Sequence, residues 1–502
     1  MHQPARSAAD FSARPAGIPG QSSSTGRRGF LRRSADGLHA AALMYLFGRD
    51  FYGGRSVAAS EKADLPRSRR QYDLLPKQTH FPAKAKSVIH LCMQGGPSQV
   101  DLFDPKPELT RRHGQSVFKE IAADLSSPEA AGGLMGSPFK FAQHGQSGAW
   151  VSELMPHVAR EVDQLAIIRS MYTTHQNHEP ALYVIQSGQQ LPGLPSLGSW
   201  VVYGMGSENR NLPGFVSIKP PVILGGARNY ASAFLPAHCQ GTPIGTMSRS
   251  MKEARVANLE NANLSAAGQR EQLELVNRLN RLTLARREQD EALEGLIHAG
   301  ELAFSMQQDL PALMDFSQES KSTLEMYGIG ADSSRTDDFG RQCLLARRLA
   351  ENGVRFIELT HDNWDHHGGV AKNMPLRCSQ VDQPIAALLQ DLSQRGLLDD
   401  TLVLWGGEFG RTPDDPRGDG RGHNKDGFTM WLAGGGVRGG MNWGATDEYG
   451  YEAVEGRVHV HDLHATILHL MGLDHTRLTF RYGGRDFRLT DVFGNVVRPI
   501  IA

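Results

Sequence analysis

Val354-Arg355-Phe356-Ile357-Glu358-Leu359 leads into His361-Asp362-Asn363-Trp364-Asp365-His366-His367-Gly368-Gly369. Thr401-Leu402-Val403-Leu404-Trp405 leads into Gly406-Gly407-Glu408-Phe409-Gly410-Arg411-Thr412-Pro413, with Gly420-Arg421-Gly422-His423-Asn424 close behind. Each apolar run reads as a buried strand, and each polar tail as what leaves the strand's end. Ligands of an open α/β sheet bind in the crevice outside the carboxyl ends of the strands. Carboxylates and imidazoles leaving two strand ends, beside glycines that let backbone approach closely, point to a metal site.

The rest of the chain fits the same plan. Residues 87–93 form a short apolar run broken sharply by Gln94-Gly95-Gly96-Pro97-Ser98. Residues 164–169 are a further buried strand, leading to His175-Gln176-Asn177-His178-Glu179-Pro180. A helical pattern then runs to residue 187 and stops at Gly188, where a left-handed C-cap is expected. Residues 251–317 are charged and helical in period: Leu275, Leu279 and Leu282 share one stripe, and Ala292, Leu296, Ala299, Ala303 and Met306 another. They predict an insertion of amphipathic helices with polar outer faces. A coiled-coil partner face is the alternative, although the stripe changes phase between the two halves. A further helix is expected over 338–351, a strand over 428–433, and a helix capped by Asp462 over 463–471. Strands alternating with helices predict an α/β fold, a mainly parallel sheet sandwiched by helices.

The chain has 502 residues, with 53 Lys and Arg against 54 Asp and Glu, a net charge of −1. That balance lacks the basic face of a nucleic-acid binder. No apolar run in the body is long enough to span a membrane. The start is different. Arg27-Arg28-Gly29-Phe30-Leu31-Arg32-Arg33, a weakly apolar stretch over 38–47 and Val57-Ala58-Ala59 resemble a twin-arginine (Tat) signal with its cleavage site. Arg49 and Asp50 sit awkwardly before that site, and a disordered basic terminus is the alternative. The domain reading is therefore a leader over 1–60, a linker over 61–86 and one large domain over 87–502. Tat machinery is the expected export partner and the periplasm or exterior the destination. A protein exported folded acquires its metal beforehand, in the cytoplasm. Cys92, Cys239, Cys343 and Cys378 have no C-x-x-C spacing and read as buried free thiols.

Within the constellation, Asp365 and His367 lie one residue apart and share a side if the segment is extended. Asp362 and His366 are the competing pair if a helical turn begins there, and a polar loop with solvated histidines is the plain alternative. Glu408 is either a ligand or a partner for Arg411. His423 is a ligand candidate or a surface histidine. His175 and His178 precede a helix whose N-terminus favours an anion, and Asn177 is a helix cap or a site residue. Mixed oxygen and nitrogen donors suit zinc, manganese or iron better than a thiolate-selective metal. Such an ion polarises an ester oxygen and acidifies bound water, and Arg411 is a candidate bidentate partner for a tetrahedral oxyanion.

Several motifs in order carry a resemblance: Gly95-Gly96-Pro97-Ser98-Gln99-Val100-Asp101-Leu102-Phe103-Asp104-Pro105, Asn177-His178-Glu179-Pro180-Ala181, Phe339-Gly340-Arg341-Gln342-Cys343-Leu344, Trp364-Asp365-His366-His367, Gly407-Glu408-Phe409-Gly410-Arg411-Thr412-Pro413, and Gly483-Gly484-Arg485-Asp486-Phe487. From about residue 87 onward the chain resembles the exported bacterial family called domain of unknown function 1501, a sulfatase-like branch of the alkaline phosphatase superfamily. The resemblance implies an alkaline-phosphatase-like fold and a divalent metal, whether zinc, manganese, calcium or iron. It also implies hydrolysis of a sulfate or phosphate ester on a small molecule or glycan. It places Asp365, His367, Glu408 and His423 as metal ligands, with Phe409 where a ligand histidine is usual. It places His178, with Asn177 and Arg411, in the catalytic positions. Two departures stand out: Gln94-Gly95 replaces an acidic ligand, and His178 replaces the Ser, Thr or Cys nucleophile. Thr173, Thr174 or a metal-activated water are the substitutes for that nucleophile. A descendant that binds metal and an anionic glycan without that chemistry is the alternative function.

Overall fold

The computed structural model describes residues 74–116, 132–256, 259, 263–286, 290–330, 334–415 and 417–502. The expected leader over 1–60, and the linker as far as residue 73, lie outside the described residues. A single large sheet contains β1 (Ser87–Met93), β2 (Leu165–Tyr172), β3 (Phe215–Ile218), β4 (Thr242–Ile244), β5 (Phe356–His361), β6 (Thr401–Gly406), β7 (Phe428–Ala433), β8 (Met441–Trp443) and β9 (Val458–His459). Their spatial order is β8-β2-β7-β6-β1-β5-β3-β4, with β9 also pairing with β2. All pairings are parallel except those of β7, which runs against both β2 and β6. The fold is the expected α/β one with a mostly parallel sheet.

Every residue of β1 is buried because helices cover both faces. Ile89, Leu91 and Met93 join a core with α5 (Ser334–Glu351) and α6 (Val370–Gln394). Val88 and Cys92 point the other way, into a core with α1 (His178–Ser187), α2 (Leu197–Met205) and α7 (Val460–Leu470). All four cysteines are free and buried, as expected. Helix α1 ends at Gly188 in the left-handed region (φ 75°), also as expected. The register makes the site edge level: Met93 pairs with His361 and Cys92 with Gly406, so β1, β5 and β6 end together.

Two local expectations are corrected. Asp462 does not cap a helix from residue 463. Helix α7 begins at Val460 with His459 as its cap, and Asp462 sits in the first turn, accepting from His459 N at 2.9 Å to complete a capping box. The segment over 251–317 does contain two long helices, α3 (Ala266–Leu284) and α4 (Glu291–Met314). Yet the outer face of α3 is not polar. Leu275, Leu279 and Leu282 are 58%, 45% and 54% exposed, and α3 rests on α4 through Asn277 instead.

Candidate metal centre

At the level strand ends, a short polar segment leaves β5. Trp364 is buried there, and its Nε1–H donates to His361 Nδ1 at 3.0 Å, which pins the segment against the sheet. The following backbone runs close over the loop after β1. A side chain at Gly95 (φ 113°) would place its Cβ 2.7 Å from Asp365 N and 2.8 Å from Trp364 N. Only glycine fits, and Gly95 in turn offers its N–H to Glu408, at 3.0 and 3.1 Å from the two carboxylate oxygens.

The period-two pair is the one brought together: His367 Nε2 lies 3.0 Å from Asp365 Oδ1. His423 Nε2 lies 3.2 Å from the same oxygen and 2.9 Å from His367 Nε2. His178 Nε2 approaches the other oxygen, Asp365 Oδ2, at 3.2 Å, without hydrogen-bond alignment. The ligand atoms of His178, Asp365 and His423 all lie within 4.8 Å of one another. His366, by contrast, turns into the protein, where burial pushes its pKa down to about 4.

Hydrogen bonds on the far sides of two rings fix their tautomers. His423 Nδ1 sits 2.7 Å from the Gln176 carbonyl, an acceptor only, so this nitrogen carries the proton. His178 Nδ1 sits 2.6 Å from Glu408 Oε1, which demands the same of it. A neutral ring then turns its Nε2 lone pair toward Asp365 in both cases. Lone pairs facing carboxylate oxygens repel unless a cation lies among them. Without a metal, a proton answers the need on His178: burial opposes its charge, but Asp365 and Glu408 outweigh that and bring its pKa up to about 9. Asp365 is itself held well below the usual carboxylate range, since His178, His423 and Arg411 overcome its burial. Spacings near 3 Å between donor atoms also suit an ion with bonds of about 2 Å. The donor set fits a divalent metal.

Glu408 and Arg411 sit differently from the sequence expectation. Glu408 is enclosed and lies behind His178, not beside Asp365, and its partners are Gly95 N–H and the His178 ring rather than Arg411. A carboxylate behind an imidazole orients the ring and raises its basicity. Arg411 is equally enclosed. Its Nε donates to Gly96 O at 3.0 Å, Nη1 to Arg421 O at 3.3 Å, and Nη2 to Gly95 O and to Asp365 Oδ1, the last at 2.6 Å. With its donors so engaged, it positions Asp365 and offers no open fork to an oxyanion. Asn177 is exposed as the N-cap of α1, and its side chain makes no capping hydrogen bond. Thr173 is buried with its hydroxyl unpartnered, whereas Thr174 is exposed.

Sequence reasoning missed Gly95 N–H, the Gln176 carbonyl and the Arg421–Asp101 pair beneath the site. In that pair Arg421 Nε lies 2.5 Å from Asp101 Oδ2 and Nη2 3.0 Å from Oδ1, with both side chains fully enclosed. The Gly95-Gly96-Pro97 break was the one available signal for the first. Backbone partners leave no mark in side-chain chemistry.

The chain belongs to the family described as "Protein of unknown function (DUF1501)", whose model matches residues 85–501. No curated protein matches it. Among solved structures it is similar to the lipoteichoic acid synthase LtaP from Listeria monocytogenes, at 9% identity and TM-score 0.38, over 83% of this chain and 77% of that one. It is similar to the PsFucS1 sulfatase from Pseudoalteromonas sp., at 12% identity and TM-score 0.35, over 83% of this chain and 72% of that one. It is also similar to alkaline phosphatase from the Antarctic bacterium TAB5, at 9% identity and TM-score 0.33, over 77% and 98% respectively. Likeness of this size says nothing about what the chain does. No helix among the described residues is long and apolar enough to cross a membrane.

Proposed function

We propose that this protein is an exported metal-dependent hydrolase of sulfate or phosphate esters carried by small molecules or glycans. One observation supports this above the others: His178, Asp365 and His423 aim ligand atoms at one point, and two of the rings have their tautomers fixed from behind. His178, Asp365, His423 and the more exposed His367 would hold the ion, and Glu408 and Arg411 would hold the ligands. A divalent cation there supplies positive charge that polarises an ester oxygen and acidifies a water molecule. The chain's own part is orientation. Glu408 keeps Nε2 of His178 directed at Asp365, and Gly95 N–H holds Glu408 in place. The twin-arginine motif at Arg27-Arg28 supports export by the Tat route to the periplasm or exterior.

A second reading is a metal- and anionic-glycan-binding protein. His178 opens α1 where a hydroxyl or thiol would serve as nucleophile, and two carboxylates hold its ring. The readings separate on two measurements of purified protein, metal content and turnover of aryl sulfates and phosphates. Metal with turnover, both lost in Asp365→Ala, is the result expected for the hydrolase. Metal without turnover on any ester selects the binder. Metal and turnover that both survive Asp365→Ala would overturn the site itself.

A further inference from the structure

Helix α3 meets the rest of the chain through a narrow face. Asn277 is its one buried residue, and its Nδ2 donates to Glu301 Oε1 on α4 at 2.6 Å. Arg270 reaches the same glutamate at 2.7 Å and lies over the Phe304 ring at 5.5 Å. The opposite face carries the exposed Leu275, Leu279 and Leu282. Steps of four and then three residues line them up in one stripe. Single exposed leucines are ordinary, but a row of three along one helix marks an interaction surface.

Charge along the stripe and just beyond it identifies the occupant. Glu271 is exposed at the amino-terminal end of the stripe, Arg278 at its middle, and Arg286 just past its carboxyl end. None of the three forms an ion pair among the described residues. A face that is acidic at one end and basic at the other complements a copy of itself turned end for end. With a two-fold axis beside Arg278 and Leu279, Leu275 meets Leu282 of the second copy and Glu271 meets Arg286 of the second copy. A parallel pairing would instead set Glu271 against Glu271 and Arg286 against Arg286. We infer that the outer face of α3 is a homodimer interface, formed by two antiparallel α3 helices through Leu275, Leu279 and Leu282. None of the candidate metal ligands takes part, so this inference stands apart from the reading of that site.

Sedimentation velocity of the full chain over a concentration series tests it. Wild-type protein is expected to sediment as a dimer. Leu279→Glu should weaken association by roughly tenfold or more, a loss on the scale of an interface hot spot, with an unchanged circular dichroism melt. Glu271→Arg and Arg286→Glu should each weaken it, and the double exchange should restore it. A wild-type monomer across the series would overturn the inference, whatever else then covers the stripe. So would a dimer indifferent to Leu279→Glu. Single charge reversals that weaken the dimer without rescue by the double exchange would overturn the antiparallel register.

Discussion

Two arginine–aspartate pairs lie side by side under this site, and they do opposite work. Arg421 and Asp101 are both fully enclosed and meet fork to fork, and Arg421 adds the Met135 and Thr412 carbonyls. Charge and hydrogen-bonding capacity are matched there, and nothing is left over. Arg411 is just as buried, but Asp365 is 38% exposed, and the cation touches only one of its oxygens. Three imidazoles crowd the same carboxylate. One pair is saturated and the other carries a surplus of lone pairs. A buried ion pair is therefore not by itself a functional signal. The surplus is.

The largest test of this contrast breaks the saturated pair. Arg421→Met leaves Asp101 enclosed without a cation and should cost about 3–5 kcal/mol in urea unfolding. Asp365→Asn, with Arg411 still bonded to three carbonyls, should cost much less stability yet abolish metal content. Equal stability losses would erase the distinction between the pairs.

Glu408→Gln sharpens it next. The amide keeps the fold but weakens the hold on His178, so metal affinity should fall about 10–100-fold, measured by competition with a chelator. Unchanged affinity would mean that Glu408 does not act through His178.

The surplus also predicts a pH signature in metal-free protein. The folded pKa of His178, about 9, lies above its unfolded value of 6.5. Its stabilising contribution is therefore complete below about pH 6.5 and fades as pH rises through 9. His178→Gln should flatten that decline in chemical denaturation between those values. Metal should counter it in the wild type, because the ion replaces the proton. A wild-type profile as flat as that of the variant would remove His178 from the charged cluster.

The smallest effect belongs to Asn177. Its side chain makes no cap, so Asn177→Ala should shift stability by less than about 0.5 kcal/mol. If turnover nonetheless falls, Asn177 contacts substrate.

Much of this was legible in the chain itself. Apolar runs such as Thr401–Gly406 declare strands buried on both faces, and the polar tails after them mark the site edge. The Asp365–His367 spacing predicts the pair that the structure brings within 3.0 Å, because alternate side chains share a side. The partners that hold each candidate ligand were not legible. Glu408 reads as a ligand or a partner for Arg411, and its contacts with Gly95, remote in sequence, and with His178 appear only in the structure. Arg411 reads as an open fork until the carbonyls of Gly95, Gly96 and Arg421 are placed around it. Helical period likewise finds the leucine stripe of α3 but cannot say which way it faces. That depends on Asn277 and Glu301 meeting on the other side.

The reversed direction of β7 has a consequence for when the site comes into being. Its neighbours β2 and β6 end at the site edge, whereas β7 starts there, so the loop bringing His423 arrives from a strand's beginning. On the ribosome, His178 and Asp365 emerge before that loop, so the candidate site is incomplete while they wait. A nascent chain cannot complete it until residue 424 has left the exit tunnel and β7 has paired. Under the proposed metal role, loading waits for that loop, and a ribosome-stalled fragment ending before residue 423 should emerge with no ion held.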